Sequence, residues 1–217
     1  YVYNYVDGYY YTGNPDLAAE KRRQDELSLE HYTDRVGLRL TGFYNQFSDY
    51  IIGINDPAID NGLGGRASTY RFRVYANTDR AYLWGSEASV LVDLLPGWEA
   101  AASVSYALGH NVTLDDPLPM IPPVGGFVSL RRQGATWWGE LESRWALAQN
   151  RNSLAADEDV TDGYNVVNLR TGYRFTQGIE VKAGIENMFD TFYSEHLSIG
   201  NLPGRGRNVF VSVGYSL

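Results

Sequence analysis

Histidines, strand arginines and loop carboxylates are the residues of this 217-residue chain whose types could do chemistry. His31, His110 and His196 are the only histidines. His196 follows Glu195 in YSEHLS, and His110 opens a segment that also holds Asp115, Asp116 and Met120. Imidazole with carboxylate is a reasonable donor set for a transition metal, which makes His110, His196 and Glu195 the metal candidates. No paired spacing such as H-x-x-x-H supports a site, and the same residues fit a solvated loop. Six arginines, Arg71, Arg73, Arg131, Arg144, Arg170 and Arg174, fall on polar strand faces where they could guide an anionic solute. They could also pair across strands with Glu87, Glu99, Glu140, Glu142, Glu180 and Glu186. Asp157, Glu158 and Asp159 could hold a cation or form a solvated loop tip. Hydrolysis finds no support. The chain has no G-x-S-x-G elbow and no ordered Ser/His/Asp set, and Ser194 two residues before His196 is not a catalytic arrangement by itself. The glycine pairs at 64–65 and 125–126 lack phosphate-loop context. Neither an enzyme nor a cofactor is expected.

The elements that must position these residues are strands, because the hydrophobic period is two nearly everywhere. From Tyr70 to Leu94 the even positions are largely apolar and the odd ones largely polar, without a break at NTDR. That predicts one very long strand. Shorter strands are predicted near 24–33, 36–52, 98–108, 124–131, 137–147, 167–175, 179–186 and 208–217, nine in all. Short connections at 33–35, 95–97, 133–135 and 176–178 alternate with long ones at 53–69, 109–123, 148–163 and 188–207. Tight turns at one end and long loops at the other, with aromatics such as Trp98, Trp137, Trp145 and Tyr215 near strand ends, match an outer-membrane β-barrel. A soluble antiparallel sandwich also predicts alternation. It predicts neither the long strand nor the alternating loop lengths.

Composition agrees with that choice. The chain has 23 Gly, 17 Tyr, 5 Trp, 8 Phe and no Cys, with a net charge of −8. An acidic balance disfavours a nucleic-acid partner bound through phosphates. No stretch reaches the roughly 18 uncharged apolar residues of a membrane helix, and YVYNYVDGYY does not read as a signal peptide. Strands that alternate keep hydropathy low, so a barrel stays open.

Several segments resemble the C-terminal half of TonB-dependent outer-membrane receptors. GNPDLAAE, with Gly13, Asn14 and Pro15, resembles the family's GNPxLxPE loop, with Ala18–Ala19 replacing its Pro-containing step. YANTDRAYLWGSEASV carries Tyr75, Asn77, Ala81, Gly85 and Glu87 in matching places. PLPMIPP resembles the loop before a downward strand. GIEVKAGIENMFDTFYSEH resembles G-x-x-N-L-F-D-x-x-Y, with Gly184, Asn187, Phe189, Asp190 and Tyr193, and Met188 in place of Leu. PGRGRNVFVSVGYSL, with Pro203, Gly204 and Arg205, resembles the closing motif and terminal strand, although Leu217 stands where the family usually ends in Phe or Trp. The resemblance implies an all-β, antiparallel transmembrane β-barrel of about 22 strands with a plugged lumen. This chain would supply about nine of them, the last, preceded by the tail of an earlier strand or loop in residues 1–12. The plug and the TonB box would lie outside it.

By the same resemblance the function is active uptake of a scarce nutrient. Candidate cargoes are a ferric siderophore, another metal complex, haem or cobalamin. The implied partners are the lipid bilayer and lipopolysaccharide, the TonB complex, a small metal-chelate ligand and the barrel-assembly machinery. The implied location is the Gram-negative outer membrane, with the C-terminus on the periplasmic side. A passive porin-like or adhesin-like barrel is the alternative, and an outer-membrane hydrolase a more distant one. The terminal strand should then pair with the barrel's first strand. Val209, Val211, Val213, Tyr215 and Leu217 should face lipid.

Overall fold

The computed structural model describes residues 2–4, 9–55, 71–176 and 178–215, apart from the side chains of residues 2–4, 55, 71 and 199. Leu217 and the Arg71 side chain therefore lie outside the described residues. Within them the chain is a single sheet. Nine long strands are β3 (Lys21–Tyr32), β4 (Val36–Asn55), β5 (Arg71–Leu95), β6 (Trp98–Asn111), β8 (Gly125–Gln133), β9 (Trp137–Ala146), β10 (Tyr164–Arg174), β11 (Ile179–Glu186) and β12 (Asn208–Tyr215). Three short ones are β1 (Val2–Asn4), β2 (Tyr9–Thr12) and β7 (Asp116–Pro117). The long strands pair antiparallel in chain order. The 25-residue β5 is unbroken, as its alternation predicts.

The tight turns between consecutive long strands lie at one end of the sheet. At the first, Thr33 donates its amide to the Val36 carbonyl at 2.8 Å, and its hydroxyl accepts the Val36 amide at 3.0 Å. Gly97 (φ +74°) and Gly178 (φ +78°) supply the left-handed residue that two other turns need. Tyr215 pairs with Ile179, which puts the end of β12 on this turn end. At the loop end, β7 folds back on β6 and opposes His110 and Asn111, replacing β8, whose pairing with β6 stops at Ser105. Residues 9–12 pair antiparallel with β1 on one side and run parallel to Arg71–Val74 on the other, against the part of β5 that extends beyond β6.

The register assigns every strand residue to a face. Glu99 opposes Arg131, Arg131 opposes Glu140, and Glu140 opposes Arg170, so one face is a polar band. The other face is apolar and bare. Leu27 is 80% exposed and Val211 69%, with Leu29, Leu38, Leu40, Val209 and Val213 alike exposed. Among the described residues the buried hydrophobic side chains are only Tyr9, Ile52, Ala81, Leu118 and Val166, whereas the largest fully buried ones are Gln149, Asn111 and Ser153. A sandwich would bury its Val and Leu between two sheets. Here those residues need an apolar solvent.

Aromatics bracket the apolar face. On β6 it runs from Trp98 to Tyr106, on β9 from Trp137 to Trp145, and on β5 from Trp84 to Leu94. These are spans of about 9–11 residues, the length that crosses a bilayer at a tilt near 45°. At three glycines of the polar face an aromatic ring from the facing strand fills the gap: Phe43 over Gly85, Phe210 over Gly184, Trp138 over Gly172. That explains Phe210, the residue that breaks the polar alternation of the terminal strand. Val211→Arg, on the apolar face, is expected to cost about 2–4 kcal/mol of barrel stability in lipid. Ser212→Arg, one residue along on the polar face, costs under about 1 kcal/mol. Urea unfolding in liposomes measures both, and equal costs would overturn the assignment.

Candidate functional site

Charges on the inner, polar face are organised as a ladder. Glu140 sits between two guanidinium groups, Arg131 at 3.3 Å and Arg170 at 3.4 Å. Arg170 also reaches Glu142 at 3.5 Å and Glu186 at 3.8 Å. Asn168 donates to Glu142 at 2.8 Å, and the Arg131 guanidinium lies 4.4 Å from the centre of the Trp138 ring. Nearer the turns, Glu180 pairs with Arg174 and Lys182. The strand arginines thus pair with the acids on neighbouring strands. Arg73 sits apart, buried at the loop end. It donates to the Tyr11 hydroxyl and the Ala156 carbonyl and stacks 3.7 Å from the Tyr9 ring centre.

Arg144 stands at the top of the ladder. It reaches Glu195 at 2.6 Å and the Tyr193 hydroxyl at 3.1 Å, between the rings of Tyr164 and Tyr193. A cleft of about 300 Å³ opens beside it, walled by Pro122, Phe127, Trp145, Tyr164 and Leu197. Tyr164 starts β10 above the aromatic boundary. Burial pushes its hydroxyl above the usual tyrosine range, against the opposing pull of Arg144. A guanidinium flanked by phenol rings at the mouth of a polar lumen suits a planar or anionic solute.

Over this mouth three loops interlock through one carboxylate. Glu158 accepts the Met120 amide at 2.7 Å, the Ser153 amide at 3.0 Å and a contact from His196 Nε2 at 3.2 Å. His196 Nδ1 lies 3.0 Å from the Thr161 hydroxyl. The imidazole is 2% exposed and the Glu158 side chain 10%. Hydroxyl, imidazole and carboxylate in sequence resemble a catalytic relay, but this one is sealed, and the carboxylate is spent on two amides from separate loop segments. Asp116 ties the same loops, accepting from the Ser153 hydroxyl and from the amides of Leu154 and Ala155. Asp157 takes a hydrogen bond from the Tyr9 hydroxyl at 2.7 Å. Glu158 is therefore a structural anchor, while Asp157 and Asp159 are exposed at the loop tip, Asp157 tied to Tyr9.

The metal candidates are not brought together. His110 lies on the outer face and pairs with Asp115 at 3.3 Å, His196 is locked to Glu158, and Glu195 holds Arg144. Among the described residues no three metal-ligating side chains cluster. The motif residues, by contrast, are latches. Asn77 exchanges hydrogen bonds with the Ala18 backbone and donates to the Asp49 carbonyl, while Asn14 donates to the Tyr75 carbonyl. Asn187, held at φ +48°, ties Thr191 on both backbone groups and the Arg205 carbonyl. Asp190 accepts the Arg207 amide, and Gly204 leaves room for the Tyr193 ring. Gly13 has open space around it, Phe189 is exposed, and Glu87 lies on the inner face. Asn111 and Gln149 were not singled out from sequence, where only their polar type near strand ends marks them, and Asp116 and Glu158 stood out there only as loop carboxylates.

The comparisons agree with this geometry. The family model "TonB dependent receptor-like, beta-barrel" matches residues 1–188. The iron-regulated outer membrane virulence protein of Vibrio cholerae is 27% identical over 194 residues, covering 82% of this chain and 28% of that protein. The vitamin B12 transporter BtuB of Vibrio vulnificus is 24% identical over 212 residues, covering 94% of this chain and 31% of that protein. Among solved structures, the copper transporter OprC superposes with a TM-score of 0.81 at 25% identity, covering 94% of this chain and 32% of that one. The chain spans less than a third of the length of these relatives. Glu158→Ala, which removes three contacts, is expected to cost the loop cap about 1–3 kcal/mol. Limited proteolysis should then cut within 112–124, 147–163 and 188–207 while heat-modifiable gel mobility of the barrel is unchanged, and an unaltered cleavage pattern would refute it. The chain is part of the β-barrel of a TonB-dependent receptor, an outer-membrane protein of Gram-negative bacteria.

Proposed function

We propose that residues 1–217 form the C-terminal wall and outer loops of an active-uptake receptor. It would take in a scarce nutrient as a chelate, with energy delivered by TonB to a plug carried elsewhere in the protein. The observation that carries this reading is the pairing of a polar, charge-balanced inner wall with a loop cap fastened by buried polar contacts. Such a wall suits passage of a hydrated or chelated solute, and the cap supplies a fixed mouth at which to capture it. Tyr164, Tyr193 and Arg144 favour a cargo with anionic or aromatic groups, which fits a ferric siderophore first. Copper complexes, haem and cobalamin remain in the same class. The relatives named for iron regulation, copper and vitamin B12 support the class.

In this reading the turn end and the end of β12 face the periplasm, where the assembly machinery would engage the terminal strand. The strands here would complete a barrel of about 22 with strands encoded upstream. The experiment is uptake of radiolabelled ferric siderophore by cells expressing the whole receptor, with and without TonB. Uptake should fall to background without TonB. Arg144→Ala should raise the half-saturating concentration by roughly tenfold, the loss of a charge-assisted contact. Uptake that persists without TonB would replace this reading with a passive porin-like barrel.

A further inference from the structure

Besides His196, which Glu158 and Thr161 hold, the mouth cleft is lined by two side chains of opposite charge, Arg144 and Glu195. They are paired, so the cleft as folded offers an anion no net attraction. The pair differs from those of the ladder below. Arg170 reaches three carboxylates, Glu140, Glu142 and Glu186, all carried by strands. Among the described residues Arg144 reaches one, and a loop carries it. The grip is also one-armed. Arg144 Nη1 donates to Glu195 Oε1 at 2.6 Å, while Nη2 donates to the Tyr193 hydroxyl at 3.1 Å. Both side chains stay open to water, Arg144 by 39% and Glu195 by 48%. An ion pair that exposed holds weakly.

The backbone that carries Glu195 is, by contrast, fixed. Its carbonyl accepts the Ser198 amide at 2.9 Å, and the Tyr193 carbonyl accepts the Gly204 amide at 2.7 Å. Ser194 donates its hydroxyl to the Asn201 carbonyl at 2.9 Å, and His196 is sealed under the cap. Glu195 can therefore leave Arg144 by rotation of its side chain, without opening the loop. What replaces it follows from the guanidinium. Its planar fork matches a carboxylate that presents two oxygens, and two parallel hydrogen bonds outcompete one. Each Nη carries two N–H groups, so Tyr193 can keep its contact. In a tris-catecholate complex the anionic oxygens are bound to the metal and offer no such free pair. Phe127, Trp145 and Tyr164 wall the space beside Arg144 where the rest of a ligand would lie.

We propose that Glu195 is an internal stand-in for the cargo's anionic group and a specificity-determining residue of the receptor. It neutralises Arg144 until a chelate with a free, planar carboxylate displaces it and takes the guanidinium in a two-donor grip. A neutral chelate gains nothing from Arg144, which stays paired with Glu195. The favoured cargo is a metal complex with an uncoordinated carboxylate at its rim. This inference rests on the reading of the cleft as a capture site.

Equilibrium binding to the purified whole receptor, followed by quenching of tryptophan fluorescence, tests it with ferric citrate, a ferric tris-catecholate and a neutral ferric tris-hydroxamate. Ferric citrate should bind most tightly. Glu195→Gln keeps the shape and removes the competing charge. It should tighten ferric citrate about threefold, the scale of an exposed ion pair, and leave the tris-hydroxamate unchanged. In an Arg144→Ala background the same substitution should have no effect. A residue that contacts cargo directly, or only props the loop, would weaken binding when replaced, which is the opposite sign. Glu195→Ala is a second variant with the same expected gain. Unchanged or weakened ferric citrate binding in both variants, an equal gain without Arg144, or tighter binding of either other chelate would overturn the proposal. Failure of all three probes to bind would remove the capture site and this inference together, whereas binding that ignores Glu195 removes only the inference. The measurement needs no TonB, so a passive barrel leaves its result intact.

Discussion

In hydrocarbon no water is present to satisfy an amide, and a sheet crossing it must pair every backbone group with itself. Most of the described architecture follows from that constraint. It requires neighbouring strands to run antiparallel in chain order, joined by the shortest turns the backbone allows at one end. It requires strand length to match bilayer thickness, as between Trp98 and Tyr106. Among the described strands, β3 and β12 pair on one side only, and the same constraint demands that each of these edges be covered in lipid.

A barrel wall has no apolar interior, and the loops above it must be held by other means. They are held by short polar side chains that reach backbone groups. Asn77, Asn111 and Asn187 each satisfy two or more partners, at least one of them distant in sequence. Glu158 and Asp116 do the same for the cap. Buried and mutually satisfied, such groups specify one arrangement, since leaving any donor or acceptor unpaired carries the full desolvation cost. The family's motif asparagines are therefore fasteners of strand ends, which is why their spacing follows strand geometry.

The strands were legible in the sequence because a period of two assigns faces locally, and one residue of slip would expose the wrong face to lipid. Nine long strands, the unbroken β5 and the alternation of turns with loops all follow from that period. The loop cap was not legible, because its contacts join residues such as Glu158, Met120 and His196 that share no period. Arg73 shows the limit within a strand. Its parity placed it correctly on the inner face, yet nothing in the alternation announced that Tyr9 and Tyr11 would cover it. The parallel run of residues 9–12 escaped for the same reason, since pairing with the overshoot of β5 depends on three-dimensional proximity alone. Glu140 and Arg170 were visible as candidates, but whether they guided a solute or paired with each other was decided by register.

The shared carboxylate of Glu140 has a consequence for what a passing molecule feels. With positive and negative groups alternating at hydrogen-bond spacing, the wall acts as a high-order multipole and not as a net charge. The field of such an array dies away within about the distance between neighbouring groups, well inside the screening length of about 10 Å at ordinary ionic strength. A chelate in mid-lumen would be neither drawn to this surface nor repelled by it, and could slide past without being trapped. Only direct contact, with water squeezed out, would expose individual charges. In a transporting barrel the wall would thus be a low-friction lining whose selectivity acts by touch.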